Sequence, residues 1–230
     1  MWRMKATLLI FAMVTLVGCA TVNDVGKHLR PNDPKDGQST NKRTESVVTP
    51  TWTSDTSNPN NVKIEKAIRI AAKKPTDELT KADLENVTRL YLMDKQLTNV
   101  KELENFTQLT YLNLNYNRLN DVRGLEKLTQ LTHLYLGGNK LTDVKGLEKL
   151  TKLTELWLGV NKLTDVSGLE KLTQLKVLHL SGNELTDVKG LEKLTQLTRL
   201  YLSDTPNLTK ARIAELQKAL PKCRIVSSPK

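Results

Sequence analysis

From Val87 to Gln196 the apolar positions recur every 22 residues with almost no drift. The unit reads Leu-Thr-x-Leu-x-Leu-x-x-Asn-x-Leu-Thr-Asp-Val-x-Gly-Leu-Glu-Lys-Leu-Thr-Gln. Copies begin at Val87, Leu109, Leu131, Leu153 and Leu175, and a truncated sixth begins at Leu197. A fixed period of this length marks a solenoid, in which each unit buries its apolar edge only against its neighbours. Within one unit Leu112 and Leu114 alternate as a short strand does, pointing inward and leaving Tyr111 and Asn113 outward. Val122, Leu125 and Leu128 then fill the core from the returning side. Asn117, Asn139, Asn161 and Asn183 fall where the chain must turn. Their carboxamides can satisfy backbone groups that stacking buries. Lys95 and Thr205 stand at this position in the first and last units, where such a ladder ends.

Both ends of the array read as capped. Ile64, Ala67, Ile68 and Ala71 follow i, i+3, i+4, i+7, which predicts an amphipathic helix, and Thr80 is placed to cap a second short turn. Thr209 precedes a predicted helix over Lys210 to Leu220 that Pro221 ends, and Cys223, Ile225 and Val226 predict a last strand. An open leucine face would aggregate, so two caps imply a free-standing domain. Cys223 reads as a small buried hydrophobe.

The run Leu109-x-x-Leu112-x-Leu114-x-x-Asn117-x-Leu119 resembles the leucine-rich repeat consensus. Its 22-residue length and the Thr-Asp-Val-x-Gly-Leu continuation are most similar to the internalin-type bacterial subclass. Gly124, Gly146, Gly168 and Gly190 stand where those internalins often carry proline. The resemblance covers about Ile64 to Val226 and implies an α/β solenoid: short parallel strands on a concave face, short helical or 3-10 turns on the convex face, and helical caps. The expected organisation is a leader over 1–18, a lipidated N-terminus and tether over 19–61, an N-terminal cap over 62–86, repeats over 87–208 and a C-terminal cap over 209–230.

Outward strand positions of successive repeats form columns on the concave sheet. The central column is Tyr91, Asn113, Tyr135, Trp157, His179, Tyr201; beside it run Arg89, Tyr111, His133, Glu155, Val177, Arg199. The rest of the unit barely changes from copy to copy, whereas these positions differ. Aromatics with nearby arginine in a polar surround have the composition of binding hot spots. Aromatics also suit strands and pack across sheets, so a structural role competes. Six strands at about 4.8 Å give a ridge roughly 24 Å long. Such a ridge falls short of the roughly 800 Å² per partner of a standard interface. The flank carrying Tyr116, Arg118, Lys140, Lys162 and Glu184 would have to contribute. The site residues expected from this reading are Arg89, Tyr91, Tyr111, Asn113, His133, Tyr135, Glu155, Trp157, His179, Arg199 and Tyr201. The expected partner is a protein. The alternatives are a glycan stacked on the Tyr and Trp ridge, or a scaffold without a discrete ligand.

Candidate chemistry is sparse. His133 and His179 lie two strands apart, about 12 Å by strand geometry, against zinc–ligand bonds of about 2 Å. Asp121, Asp143, Asp165 and Asp187 form a column that could attract calcium, but each is placed to accept backbone N–H groups at its own turn. No CxxC, HExxH, phosphate loop or GxSxG is present. No catalysis, metal or cofactor is expected, and the domain is expected to be monomeric.

The first residues carry a different message. Met1 to Lys5 is a short positive stretch and Ala6 to Val17 an apolar run, which is the grammar of a secretory signal. The run is shorter than the roughly 20 residues of a spanning helix. It ends in Leu16-Val17-Gly18-Cys19, which resembles the bacterial lipobox. That resemblance implies diacylglycerol on the Cys19 sulfur, cleavage before it and acylation (a palmitate-type chain) of the new amine. The competing reading is an ordinary signal cut after Ala20. Multiple chains would anchor stably, and Ala20 after the cysteine favours the outer membrane of the envelope by resemblance to enterobacterial sorting. Thr21 to about Asn61, with four prolines among Ser, Thr, Asn and Asp, has no hydrophobic period and reads as a tether of roughly 35 Å root-mean-square reach. The lone His28 in it reads as inert, and with a bacterial lipobox the Asn-x-Thr triplets at Asn86, Asn105 and Asn207 carry no glycosylation reading.

The net charge of +10 falls by two if Arg3 and Lys5 leave with the leader. Many lysines recur beside glutamate (Glu126-Lys127, Glu148-Lys149, Glu170-Lys171, Glu192-Lys193). They read as a solvated face, and nucleic acid is not an expected partner. With Cys19 consumed, Cys223 is a lone thiol and no intramolecular disulfide can form.

Overall fold

The structure, a computed structural model, describes Asp55 and residues 57–228. The expected leader, the expected lipidation at Cys19 and nearly all of the expected tether lie outside the described residues.

Seven short strands pair in chain order into one parallel sheet: β1 (Arg89–Tyr91), β2 (Tyr111–Asn113), β3 (His133–Tyr135), β4 (Glu155–Trp157), β5 (Val177–His179), β6 (Arg199–Leu202) and β7 (Arg224–Ser227). The register advances by one repeat per strand, Leu112 facing Leu134 and Leu134 facing Leu156. On the returning side, 3-10 turns occupy Lys101–Asn105, Leu147–Lys149, Leu169–Lys171 and Leu191–Lys193. Strand leucines such as Leu112 and Leu114 and returning residues such as Val122, Leu125 and Leu128 are buried together, and the same positions are buried in every full repeat. Each such side chain removed from water contributes about 1.5–3 kcal/mol, so the array is held by one continuous apolar spine.

The asparagines join the repeats through their backbones. Asn161 is buried; its Oδ1 accepts from the Leu141 N–H at 3.0 Å, and its Nδ2 donates to the Leu136 and Leu158 carbonyls, both at 3.0 Å. Asn139 also donates to Leu136 at 2.9 Å, and Asn183 also donates to Leu158 at 3.0 Å. Carbonyl and carboxamide thus alternate from one repeat to the next without a break from Asn117 to Asn183. At the last unit Thr205 makes a single bond, Oγ1 to the Leu202 carbonyl at 2.7 Å. A second column runs just before each strand, where Thr132 Oγ1 donates to the Thr110 carbonyl at 2.9 Å and Thr154 Oγ1 to the Thr132 carbonyl at 3.1 Å.

The turns are more committed than a solvated charge pattern implies. Glu148, Glu170 and Glu192 each accept the amide of the glycine two residues earlier at 2.6 Å, and those glycines hold φ near 100°. Backbone amides, their own and the glycine's, hold the Glu148 and Glu170 carboxyls below the usual carboxylate range. The aspartate column is engaged likewise: Asp143 accepts from Lys145 N at 3.1 Å, Asp165 from Ser167 N at 2.8 Å and Asp187 from Lys189 N at 3.0 Å.

Helix α1 (Pro59–Ala72) begins with Pro59 behind the Asn58 cap, so the expected tether boundary at Asn61 falls inside it. Ile64 and Ile68 close the spine, and Asn60 exchanges hydrogen bonds with Thr98, continuing the asparagine theme past Lys95. Helix α2 (Lys81–Glu85) carries a capping box of Thr80 and Asp83. At the far end α3 (Lys210–Ala219), capped by Thr209, places Leu216 over the last repeat beside buried Leu220 and Cys223. Burial raises the Cys223 thiol pKa, so it is an unreactive core group.

Replacing Asn161 with alanine breaks the chain of carboxamides at its middle and leaves a buried Leu141 N–H unpaired. With about 1–3 kcal/mol for an orphaned group and about 1 kcal/mol per lost bond, Asn161→Ala is expected to cost about 3 kcal/mol in urea unfolding. Thr205→Val, which loses one bond, is expected to cost about 1 kcal/mol. Equal costs at the two sites would contradict the ladder's role.

Candidate interaction surface on the concave sheet

The strand register fixes what the concave face presents. Residues flanking each inward leucine line up as expected: Arg89, Tyr111, His133, Glu155, Val177 and Arg199 in one column, and Tyr91, Asn113, Tyr135, Trp157, His179 and Tyr201 in the other. Strand β7 extends both by Arg224 and Val226, giving a seventh row. The alternation around Ile225 signalled that row, although the columns read from the repeat stopped at six.

The rings do not stand alone in solvent. Tyr91 and Tyr111 are 5.1 Å apart between ring centres, Tyr111 and Tyr135 5.3 Å, Tyr135 and Trp157 5.7 Å, Trp157 and His179 5.0 Å, and His179 and Tyr201 5.1 Å. Six rings therefore touch in series along the sheet. Asn113 interrupts the central column, its Oδ1 turned back to accept from Asn115 N at 3.0 Å. Tyr111 leans across from the neighbouring column and closes the gap. Tyr91 is exposed, while the other five rings are half-buried against one another.

Polar groups fix this row at two places. The Arg89 guanidinium lies 4.2 Å from the Tyr111 ring centre and donates to Tyr91 Oη at 2.9 Å, and this bond raises the Arg89 pKa. In the middle, Glu155 Oε1 accepts from Trp157 Nε1 at 2.7 Å and Tyr135 Oη at 3.1 Å, while Oε2 lies 3.9 Å from His133 Nε2. Desolvation first, and then the bond to Glu155, raises the Tyr135 pKa, so the phenol stays protonated. Arg199 is exposed at the far end of its column.

His179 lies between Trp157 and Tyr201, inclined 16° and 24° to them. Its buried Nδ1 has no hydrogen-bond partner, and desolvation lowers its pKa. Room for this ring comes from Gly159, where a Cβ would stand 2.5 Å from Nδ1. Beyond the rings, residues 94, 116, 138, 160, 182 and 204 all hold the left-handed backbone conformation. Gly138 and Gly182 suit it, but Tyr116 and Val160 adopt it at φ 56° while leaving 62% and 64% of their surface in water. A side chain there costs about 1–2 kcal/mol. Two exposed apolar residues on strained backbone thus rim the ring row.

Two models of leucine-rich repeats match the sequence, one of two copies at residues 129–171 and again at 173–217, the other of a single repeat at 107–128. The domain is a leucine-rich repeat solenoid. Among solved structures it is similar to the internalin InlF of Listeria monocytogenes, at 27% identity and a TM-score of 0.59 over 74% of this chain and 58% of that one. It is similar to the functional domain of InlJ from the same organism, at 26% identity and a TM-score of 0.63 over 74% of this chain and 38% of that one. A leucine-rich repeat protein of Leptospira interrogans shares 34% identity at a TM-score of 0.59, over 62% of this chain and 38% of that one. The chain thus spans less than two thirds of each of these neighbours. The InlJ domain includes a cysteine ladder. No curated protein matches the sequence. The repeat class and its internalin-like neighbours point to protein–protein interaction as the general kind of work.

Because Gly159 makes room for the imidazole, Gly159→Ala is expected to push His179 out of the ring row without unfolding the domain. In an NMR titration His179 should protonate at lower pH than an ordinary histidine in the wild type, and shift back up in the variant. An unchanged His179 titration would rule out the close approach.

Proposed function

We propose that this chain is an envelope lipoprotein that captures a protein partner on its concave sheet. The observation that carries the reading is the row of six touching rings, held by Glu155 in the middle and Arg89 at one end. Pre-ordered aromatic side chains lose little further freedom on binding, which is the condition for a hot spot. Seven rows at about 4.8 Å give a sheet roughly 29 Å long, and Tyr116 and Val160 widen it toward the area a stable complex needs. The stacking weighs against the glycan alternative. Ring faces from Trp157 to Tyr201 lie against neighbouring rings, so edges rather than faces meet the ligand, and a sugar ring stacks on faces.

Anchoring follows from the sequence alone. The lipid is proposed on Cys19, with 19–61 as the spacer and the outer membrane as the site of attachment. The spacer would hold the sheet clear of the lipid and let several copies engage one partner surface.

Truncating hot-spot aromatics removes about 2 kcal/mol or more each. Tyr135→Ala combined with Trp157→Ala is therefore expected to abolish capture of a partner from envelope extract while the circular dichroism spectrum and unfolding remain cooperative. Undiminished capture by the folded double variant would refute the concave-face reading. The anchor is tested by metabolic labelling with a tagged fatty acid: label is expected on the wild type and absent from Cys19→Ser, and an unlabelled wild type would sink the lipoprotein assignment.

A further inference from the structure

We propose that the outward face of α1 rests on an anionic lipid surface, giving the domain an electrostatic contact with the membrane in addition to a lipid tether. The proposal builds on anchoring at Cys19 to bring α1 near the bilayer, but the contact itself uses only residues of α1 and the edge of β1. Over residues 59–74 the chain carries five cations, Lys63, Lys66, Arg69, Lys73 and Lys74, against the single carboxylate Glu65. Glu65 is bound by Arg69 at 2.7 Å, and Lys74 by Asp83 at 2.8 Å. Lys63, Lys66 and Lys73 have no carboxylate within ion-pair distance among the described residues.

The same helix leaves aliphatic surface in water. Ile64 and Ile68 are fully buried against the repeats, yet Ile70 is 72% and Val62 47% exposed on the opposite side. Val62, Lys66, Ile70 and Lys73 follow one another at i, i+4, i+8 and i+11, so lysine and aliphatic side chains alternate along one stripe. A groove of about 680 Å³ lies on one side of this ridge, with Ala67, Ala71 and Val87 among Lys63, Arg89 and Lys95 and no carboxylate in its lining. A second groove of about 530 Å³ lies on the other side.

Isolated aliphatics separated by lysines suit insertion among headgroups: the side chains enter the boundary while the ammonium groups meet phosphates. A protein groove asks instead for a contiguous apolar stripe. The opposite cap is as basic, with Lys210, Arg212, Lys218, Lys222 and Arg224 against Glu215. It lacks the exposed aliphatics: Ile213 is half-buried and Leu216 and Leu220 are buried, and Arg212 is shared between Glu215 at 3.0 Å and Asp187 at 3.8 Å. The chain enters the domain at α1, so a tether brings this end, not α3, to the membrane.

The test places an environment-sensitive fluorophore on the full chain through Ile70→Cys, in a Cys19→Ser, Cys223→Ala background, with Lys218→Cys on α3 as the control position. Vesicles of phosphatidylglycerol and phosphatidylcholine are expected to shift the emission at position 70 to the blue, phosphatidylcholine alone to leave it unchanged, and position 218 to stay unchanged in both. Lys66→Gln and Lys73→Gln are each expected to weaken vesicle binding roughly fivefold, at about one kilocalorie per basic residue near the surface. Three outcomes overturn the proposal: no shift at 70 on anionic vesicles, an equal shift at 218, or a blue-shifted emission at 70 before vesicles are added, which would mean that another part of the chain already covers α1. Because Cys19 is replaced throughout, a negative result here leaves the labelling of Cys19 to be judged separately.

Discussion

A solenoid of three-residue strands must bury a turn in every repeat, and a buried turn brings backbone groups that water cannot reach. Four asparagines meet this constraint, and the rest of the architecture depends on them. Each carboxamide ties its own turn to the repeat before it, and successive carboxamides share a carbonyl, as Asn139 and Asn161 share that of Leu136. This sharing is possible only if adjacent turns sit at the same height, which keeps every repeat at 22 residues. The asparagine chain thus links repeats by hydrogen bonds alone.

With the backbone fixed in this way, outward strand positions are free to differ. They have been filled with side chains that bind one another: the rings touch in series, Glu155 holds two of them, and Gly159 is shaped to admit His179. The result is a rigid, half-dry strip rather than a set of independent solvent-facing aromatics. Rigidity of this kind lowers the ordering cost of association. The strained backbone at Tyr116 and Val160 is the counterpart: local stability is spent to keep two apolar groups exposed at the rim.

The fold was legible because its information is periodic. Leucine spacing, the recurring asparagine and the cap signals at Thr80 and Thr209 each depend on short stretches of chain, and all are realised. The concave columns were legible for the same reason. What the columns do was not, because it depends on contacts between side chains 20 or more residues apart. Nothing in the sequence shows that Tyr111 crosses from its column to replace Asn113, or that Trp157 and Tyr135 share one carboxylate. The glutamates of the turns were legible only as charge; their bonds to glycine amides follow from a left-handed turn that a residue pattern does not display. The outward face of α1 was not legible, because the spacing of Ile64, Ala67, Ile68 and Ala71 defines only the core-facing side and assigns no role to Val62 and Ile70.

One consequence of the near-identity of the repeats concerns inheritance rather than folding. Any two units have closely similar sequences and interchangeable joints, so unequal exchange between them would delete or duplicate a whole unit and still leave every carboxamide matched to a carbonyl and every leucine to a leucine. The backbone is indifferent to such an event. The ring row is not, because Glu155, Trp157 and His179 each occur in a single repeat at their position. Lineages of this gene could therefore lengthen or shorten the protein without loss of stability, while each change of copy number would recompose the surface that a partner reads.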